Sequence, residues 1–261
     1  MTDVTITHIG GPTALIEFGG WRLLTDPTFD PPGERWHFGW GAMSRKLTGP
    51  AIPATDLGPI DAVLLSHDHH GDNLDHAGRA LLPTLGTVVT TIPGAHRLGG
   101  DTLGLKPWET TTLTVPGRTR IEITATPARH GPPASRVIVG TVIGFALRWD
   151  GQQHGVLWVS GDTVLFDGVR YIAQRFDVGT AVLHLGGVRF PVSGPFRYTM
   201  NAEEAVQACR LLNPRTVVPV HYEGWKHFRQ PRDEAQQVFD SSPIADTLTW
   251  LQRGSPATIE V

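Results

Sequence analysis

The chain predicts an α/β fold of two sheets covered by helices, and three observations carry that prediction. Short runs rich in Val, Ile, Leu and Thr recur roughly ten times, each with the length and β-branched content of a strand. Thirty Gly and 21 Pro lie scattered between these runs as punctuation, not gathered in a low-complexity block. Helical signals are interspersed among the runs, so strands come first and strand–helix alternation follows, a pattern that builds packed layers of sheet and helix.

The predicted strands are, in order, Val4 to Ile9, Ala14 to Phe18, Trp21 to Thr25, Ala62 to Leu65, Thr87 to Thr91 and Ile121 to Thr126. Val137 to Trp149 continues the series, long enough to bend or bulge at Gly140 and Gly144, and is followed by Val156 to Val159, Ala181 to Leu185 and Thr216 to Val220. The clearest helix starts at Asn201-Ala-Glu-Glu204, where Asn201 can cap free amides and Glu204 can reach back, and it stops near Asn213 before Pro214. Ala205, Ala208, Cys209 and Leu212 share one face of it, so Cys209 reads as a small buried residue and not a nucleophile. Weaker helices are expected at Asp75 to Leu82, Val169 to Phe176 and Asp233 to Asp240. No linker divides the chain, and one domain over residues 1–261 is the expectation at this length.

Composition narrows the function. Twenty-two basic against 25 acidic residues supply no broad cationic surface, so nucleic acid is not an expected partner. A single cysteine forms no intramolecular disulfide and no thiolate cluster, which leaves His and Asp as the available metal ligands and fits a reducing compartment. The first residues lack the basic and apolar regions of a leader, and no stretch approaches the roughly 18 apolar residues of a spanning helix. A soluble cytoplasmic protein is the simplest expectation; oligomeric state is not legible.

Ser66-His-Asp-His-His-Gly-Asp-Asn73 packs three imidazoles and two carboxylates into one turn directly after an apolar run. His67 and His69, one residue apart, can converge on one ion as neutral nitrogen ligands, and Asp72 adds a hard oxygen nearby. Other ligand types also follow apolar runs: Asp162 in Gly161-Asp162-Thr163, His221 after Val218 to Val220, and His130 a short loop beyond Ile121 to Thr126. Residues at the carboxyl ends of several strands can meet along one rim, which turns a scattered set into one pocket. Asp26, also at a strand end, reads equally as a turn former before Pro27 and as a carboxylate that holds an imidazole. His184 reads equally as a satisfied core imidazole and as a group facing substrate. His8, His37, His76, His96, His154 and His227 have no comparable setting and are read as structural.

Taken together these segments resemble the metallo-β-lactamase superfamily, in the branch of ascorbate-6-phosphate lactonase-like proteins and N-acyl-phosphatidylethanolamine phospholipase D. The resemblance rests on the order of His8-Ile-Gly-Gly-Pro-Thr-Ala-Leu-Ile-Glu-Phe18, Leu-Leu-Thr-Asp26-Pro, Pro59-Ile-Asp-Ala-Val-Leu-Leu-Ser-His67, Gly161-Asp162-Thr and Pro219-Val-His221. It implies a four-layer αβ/βα sandwich with a binuclear centre at one edge. His67, His69 and His130 would hold the first ion, Asp162 would bridge, and His221 would help hold the second. Zinc is the implied metal, as two ions, with manganese or iron as alternatives. The His-x-His-x-Asp-His pattern of that family is interrupted here by one extra residue. If Leu74-Asp75 matches the Leu-Asp that follows the family motif, Asp72 takes the aspartate slot and Asn73 replaces the last histidine. Without the gap, Asp72 takes the histidine slot. Asparagine is a poorer zinc ligand than imidazole, and His70 is an available substitute.

The expected chemistry is hydrolysis of a phosphodiester, lactone or related ester by a metal-activated water, with Asp72 orienting the nucleophile and His184 assisting the leaving group. The substrate is expected to be a small molecule or lipid-like ester. The segment Glu34-Arg-Trp36-His-Phe38-Gly-Trp40-Gly41 reads as a lid or as the cover of a core edge. Arg189 and Arg197, beside Phe190 and Tyr198, read as a phosphate clamp or as solvated charges. The alternative function is a catalytically decayed metal-binding sensor or interaction module on the same scaffold, for which the altered Asp72-Asn73 motif speaks.

Overall fold

Both faces of most strands are buried, which is why the sequence shows continuous apolar runs where a half-exposed sheet would show alternation. A computed structural model describes residues 3–39, 41–133 and 135–261. Strands β1 (Val4–Gly10), β2 (Thr13–Phe18) and β3 (Trp21–Thr25) form an antiparallel meander. A small hairpin of β4 (Arg35–His37) and β5 (Met43–Arg45) follows. The chain then lays β6 (Ala62–Leu64) parallel to β3, passes through α1 (His76–Leu81) to β7 (Thr87–Thr91), and through α2 (Ile92–Leu98) to β8 (Thr102–Leu105), each strand parallel to the last.

The second half repeats the plan. Strands β9 (Thr110–Leu113), β10 (Ile121–Pro127), β11 (Ile143–Trp149) and β12 (Val156–Val159) are antiparallel, with the one-turn helix α3 (Arg136–Val139) between β10 and β11. Helix α4 (Asp167–Arg175) then leads to β13 (Val178–His184), and α5 (Ala202–Leu212) to β14 (Thr216–Val220), both strands parallel to their predecessors. Helix α6 (Arg232–Asp240) and β15 (Pro256–Ile259) close the chain, β15 pairing with β1. The sheets have the orders β15-β1-β2-β3-β6-β7-β8 and β14-β13-β12-β11-β10-β9.

Residue alternation decides which layer each side chain joins. Ile16 and Leu23 point between the sheets, where they meet Ile123, Phe145, Leu147 and Val182 from the opposite sheet. Their neighbours Leu15 and Leu24 point outward into a second cluster with Val63, Leu65 and Leu74. On the other side Trp158, Ala181 and Leu183 pack against Val169, Ile172, Ala205, Cys209 and Phe239 of α4, α5 and α6. The four-layer αβ/βα sandwich is thus built by strands that each serve two apolar interfaces. Truncating a side chain such as Phe145 to Ala costs about 3–5 kcal/mol in such a core.

Helix α5 begins as expected, Asn201 Oδ1 accepting from the Glu204 amide at 3.0 Å while Glu204 Oε2 accepts from the Asn201 amide at 3.4 Å. The expected long strand over Val137 to Trp149 is not continuous: Arg136–Val139 is helical and the strand starts at Ile143. Gly140, at φ +73°, breaks the run, because the chain must leave the site loop there. Among the described residues no helix is long and apolar enough to cross a membrane.

Candidate metal centre

Every strand that delivers a chemically active residue ends on the same rim. Beyond β3, Asp26 turns with φ +31°, its Oδ1 accepting from the Ser66 amide at 2.7 Å and its Oδ2 lying 3.1 Å from His184 Nε2. Ser66 closes the strand β6, and its Oγ stands 2.9 Å from Nδ1 of His67. Asp162 follows Gly161, whose φ of +60° and whose approach to the Ile143 carbonyl, 2.5 Å from where a Cβ would lie, admit only glycine. His221 ends β14 in a left-handed conformation, φ +58°, its amide donating to the Gly11 carbonyl at 2.7 Å.

Six ligand atoms meet there in two groups of three. The first is His67, His70 and His130; the second is Asp72, Asp162 and His221, and within each group the atoms lie within 4.8 Å of one another. All six residues are buried. In the first group His70 Nδ1 is 3.1 Å from Nε2 of both His67 and His130. Nδ1 of His130 faces the Tyr198 carbonyl at 2.8 Å, so this nitrogen carries the proton and Nε2 offers its lone pair to the group. His221 is held the same way, Nδ1 against the Leu185 carbonyl at 3.3 Å. Asp162 stands between the groups, with Oδ1 3.5 Å from His221 Nε2 and Oδ2 3.9 Å from the His130 ring.

Electrostatics fit a cation. Burial, reinforced by neighbouring imidazoles, holds His67 and His70 well below the ordinary histidine value, and burial takes His130 down to about 4. All three rings are therefore neutral near pH 7, the form that binds metal. Burial raises Asp162 to about 7, with the Asp72 and Asp26 carboxylates adding to the rise against the pull of His221. His221 rises to about 9, because the Asp162 and Asp72 carboxylates outweigh the burial that opposes its charge. Asp72 Oδ1, Asp162 Oδ2 and His221 Nε2 are buried and have no hydrogen-bond partner among the described residues. Three orphaned donors of one group, two of them carboxylate oxygens, are the arrangement that a divalent ion satisfies and that costs free energy without one.

The expected residues are distributed as follows. His67, Asp72, His130, Asp162 and His221 converge. His69 was expected in the nitrogen set, but His70 stands there; the extra residue in the loop advances the backbone by one position, and His69 Nε2 turns aside to the Val139 carbonyl. Its ring fills the space against Gly140 that a Cβ would occupy. His184 does not reach the cavity at the rim: it is fully buried between Asp26 and Ser160, so the geometry differs from a leaving-group role and makes it a strut. Asp26 serves as turn and as imidazole holder together. Asn73 lies 3.4 Å from both Ser66 Oγ and Asp162 Oδ1 through Nδ2. Asp68, within the motif, is bound to Arg97, whose guanidinium, with its hydrogen bonds outweighing burial, holds the carboxyl far below its ordinary value; it anchors the loop to α2.

Two residues went unrecognised. His227, read as structural, places Nε2 2.8 Å from Asp72 Oδ2 and Nδ1 on Ser44 Oγ. Lys46 forms a buried ion pair with Asp75 at 2.6 Å, and Asp75 also accepts the amides of Phe29, Asp30 and Gly78. Neither had a local signal, because both act through partners distant in the chain.

A cavity of about 270 Å³ opens onto both groups through His70, His130 and Asp72. Phe38, Ala42, Val139, Val188, Phe190 and Tyr198 form its walls. Phe38 comes from the β4–β5 connection, so the aromatic segment contributes to the cavity; Trp36 instead packs on Gly71, at a distance that leaves no room for a Cβ there, and Trp40 lies outside the described residues. Arg197 pairs with Glu204 at 2.9 Å, Arg189 is exposed, and among the described residues no Lys or Arg lines the cavity.

Comparison with known proteins agrees with this geometry. The β-lactamase superfamily domain matches residues 21–222. A UPF0173 metal-dependent hydrolase of Pyrobaculum calidifontis is 30% identical over 245 residues, covering 89% of this chain and 91% of that one. Another from Caldivirga maquilingensis is 29% identical over 233 residues, covering 87% and 85%. Among solved structures, an isothiocyanate hydrolase from Delia radicum gut bacteria superposes with a TM-score of 0.82 at 21% identity, covering 98% and 99%. Igni18, a metallo hydrolase from Ignicoccus hospitalis, does so with 0.73 at 23%, covering 99% of each chain. With its fold, its two donor groups and a domain match over most of its length, the chain belongs to the metallo-β-lactamase superfamily, among its metal-dependent hydrolases.

Proposed function

We propose that this protein hydrolyses a small, uncharged ester or lactone at a two-ion centre. The observation that carries the reading is the cavity itself, which touches both donor groups yet has largely apolar walls and, among the described residues, no lining Lys or Arg. Beyond the ions, a phosphodiester's negative charge finds no cationic side chain among the described residues of these walls. Its volume suits a compact molecule better than a long lipid.

Bound at these donors, two divalent ions, zinc by ligand type with manganese or iron as alternatives, supply Lewis acidity and a water of lowered pKa. His67, His70 and His130 would hold one of them, Asp72, Asp162 and His221 the other. Asp162, which stands between the groups, would be the bridge that the superfamily resemblance implies. Asp72 lines the cavity and would orient the nucleophilic water beside the ion it helps to hold. Phe38, Phe190 and Tyr198 exclude bulk water and orient the acyl group by contact. Asp26 and His184 keep the two strand ends in register beneath the site. A reducing cytoplasm suits a chain whose one cysteine, Cys209, is buried under α5.

The alternative of a decayed metal-binding sensor would use the same ligand atoms but needs no substrate-sized cavity opening onto them. The test is metal content per chain by plasma mass spectrometry, followed by turnover of a γ-lactone, an aryl acetate, an aryl isothiocyanate and a bis-aryl phosphate by the metal-replete protein. Two equivalents, with neutral carbonyl substrates turned over at least 100-fold faster than the phosphodiester, is the expected result. A metal-replete protein that is inert toward the whole panel, or that prefers the phosphodiester, overturns the proposal.

A further inference from the structure

We propose that His227 is a positioning residue of the second donor group, fixing the orientation of the Asp72 carboxylate. The inference rests on the two-ion reading above. His227 lies on the loop after β14, 155 positions from Asp72 in sequence, yet its Nε2 is 2.8 Å from Asp72 Oδ2. Both side chains are buried. An ionised carboxylate only accepts, so Nε2 carries the proton; the other ring nitrogen then accepts, and the hydroxyl of Ser44 donates to it. Ser44, His227 and Asp72 thus form one directed relay in which every donor has an acceptor.

Asp72 Oδ2 accepts from His227 and also lies 3.6 Å from His221 Nε2, so the oxygen held by the relay faces the second donor group, while Oδ1 is buried with no partner among the described residues. The relay therefore fixes the carboxylate against the group and prevents it from rotating away. The ring is itself fixed: Phe190 stacks on it at 4.8 Å with planes 14° apart, and Phe38 lies at 4.8 Å on a tilted plane. Asn73 stands 3.4 Å from Asp162 with an amide, a weaker ligand than imidazole, so the second group depends on the orientation of Asp72, Asp162 and His221. Ser44 belongs to the hairpin that also carries Phe38, so the same contact ties a wall of the cavity to the donor group.

The test compares zinc binding by wild type, His227→Ala, His227→Gln and Ser44→Ala, using isothermal titration with zinc alone and metal counted per chain. His227→Ala is expected to retain the first equivalent and to bind the second about 10- to 100-fold more weakly. His227→Gln, whose amide can donate to Asp72, is expected to recover most of that loss, and Ser44→Ala to show a smaller loss in the same direction. Unchanged second-site affinity in His227→Ala overturns the inference. So does a His227→Gln protein as weak as His227→Ala, because the imidazole would then be acting as a ligand. Should His227→Ala not fold, Ser44→Ala is expected to bind the second ion more weakly than both wild type and His227→Gln; equal binding by all three overturns the inference. A wild type that takes up no second ion defeats the two-ion reading instead.

Discussion

Asp26 and His184, at the carboxyl ends of β3 and β13 in opposite sheets, meet at 3.1 Å in the fully buried floor of the donor groups. Burial keeps His184 below its ordinary value despite the carboxylate, so the ring is neutral and donates Nε2–H to Asp26. The other oxygen of Asp26 takes the Ser66 amide, one residue before His67. One carboxylate therefore sets the spacing between strands that deliver ligands from both sheets.

Removing one partner of this contact leaves the other buried and unpaired. Asp26→Ala should destabilise the fold by about 3 kcal/mol, and the Asp26→Ala/His184→Ala double variant by less than the sum of the two single changes. Urea unfolding of the four proteins of the cycle measures this. Strict additivity would show that the two side chains do not support one another.

The loop geometry separates adjacent histidines. His70→Ala should lower metal content by the equivalent held at the nitrogen group, whereas His69→Ala should retain it, because His69 Nε2 is engaged with the Val139 carbonyl. Metal counts on the two variants decide the point; loss in His69→Ala with retention in His70→Ala would reverse the ligand assignment.

Stability should depend on pH through His8, away from the donor groups. Burial takes this ring down to about 4, while in the unfolded chain it titrates near 6.5. The unfolded state thus binds the proton more readily, so the contribution is fully present above about pH 6.5 and is lost as the pH falls toward 4. At about 1.36 kcal/mol per unit the loss is on the order of 3 kcal/mol. Urea midpoints at pH 7, 5.5 and 4 should fall more steeply for wild type than for His8→Gln; parallel slopes would remove His8 as the cause.

Charge at the cavity rim should set selectivity. Val192 lines the cavity and is 62% exposed, so Val192→Arg can be made at little cost in stability. It should raise kcat/KM for an anionic ester relative to its neutral isostere by about tenfold, roughly 1.4 kcal/mol of charge compensation. An unchanged ratio would mean that Val192 does not face the substrate.

Much of this architecture was legible because fully buried strands announce themselves. β3, β7, β12 and β14 have the residue ranges expected from their apolar runs. The unforeseen strands β8, β9 and β15 are sheet edges, and β4 and β5 form a separate hairpin. Such strands face solvent on one side or both, as the largely exposed or half-exposed residues of β9 and β15 show, and so carry no apolar run to read. Helix α2, seven residues opening on Ile92-Pro93-Gly94, was too short for a periodic signal. In the site, strand-end position found the five ligand types that converge, but it did not distinguish His69 from His70. That choice turns on how one inserted residue is absorbed, here at Gly71 beneath Trp36, and the packing partner is 35 positions away. His227 had no pattern of its own, since its role exists only through Ser44 and Asp72.

The six donors divide evenly between the two halves of the sandwich: His67, His70 and Asp72 follow β6, while His130, Asp162 and His221 follow β10, β12 and β14. Each group of three draws on both sides. Neither half alone owns a complete coordination shell, so an ion taken up here acts as a clasp, and chelation should loosen the seam between the sheets before it melts either one.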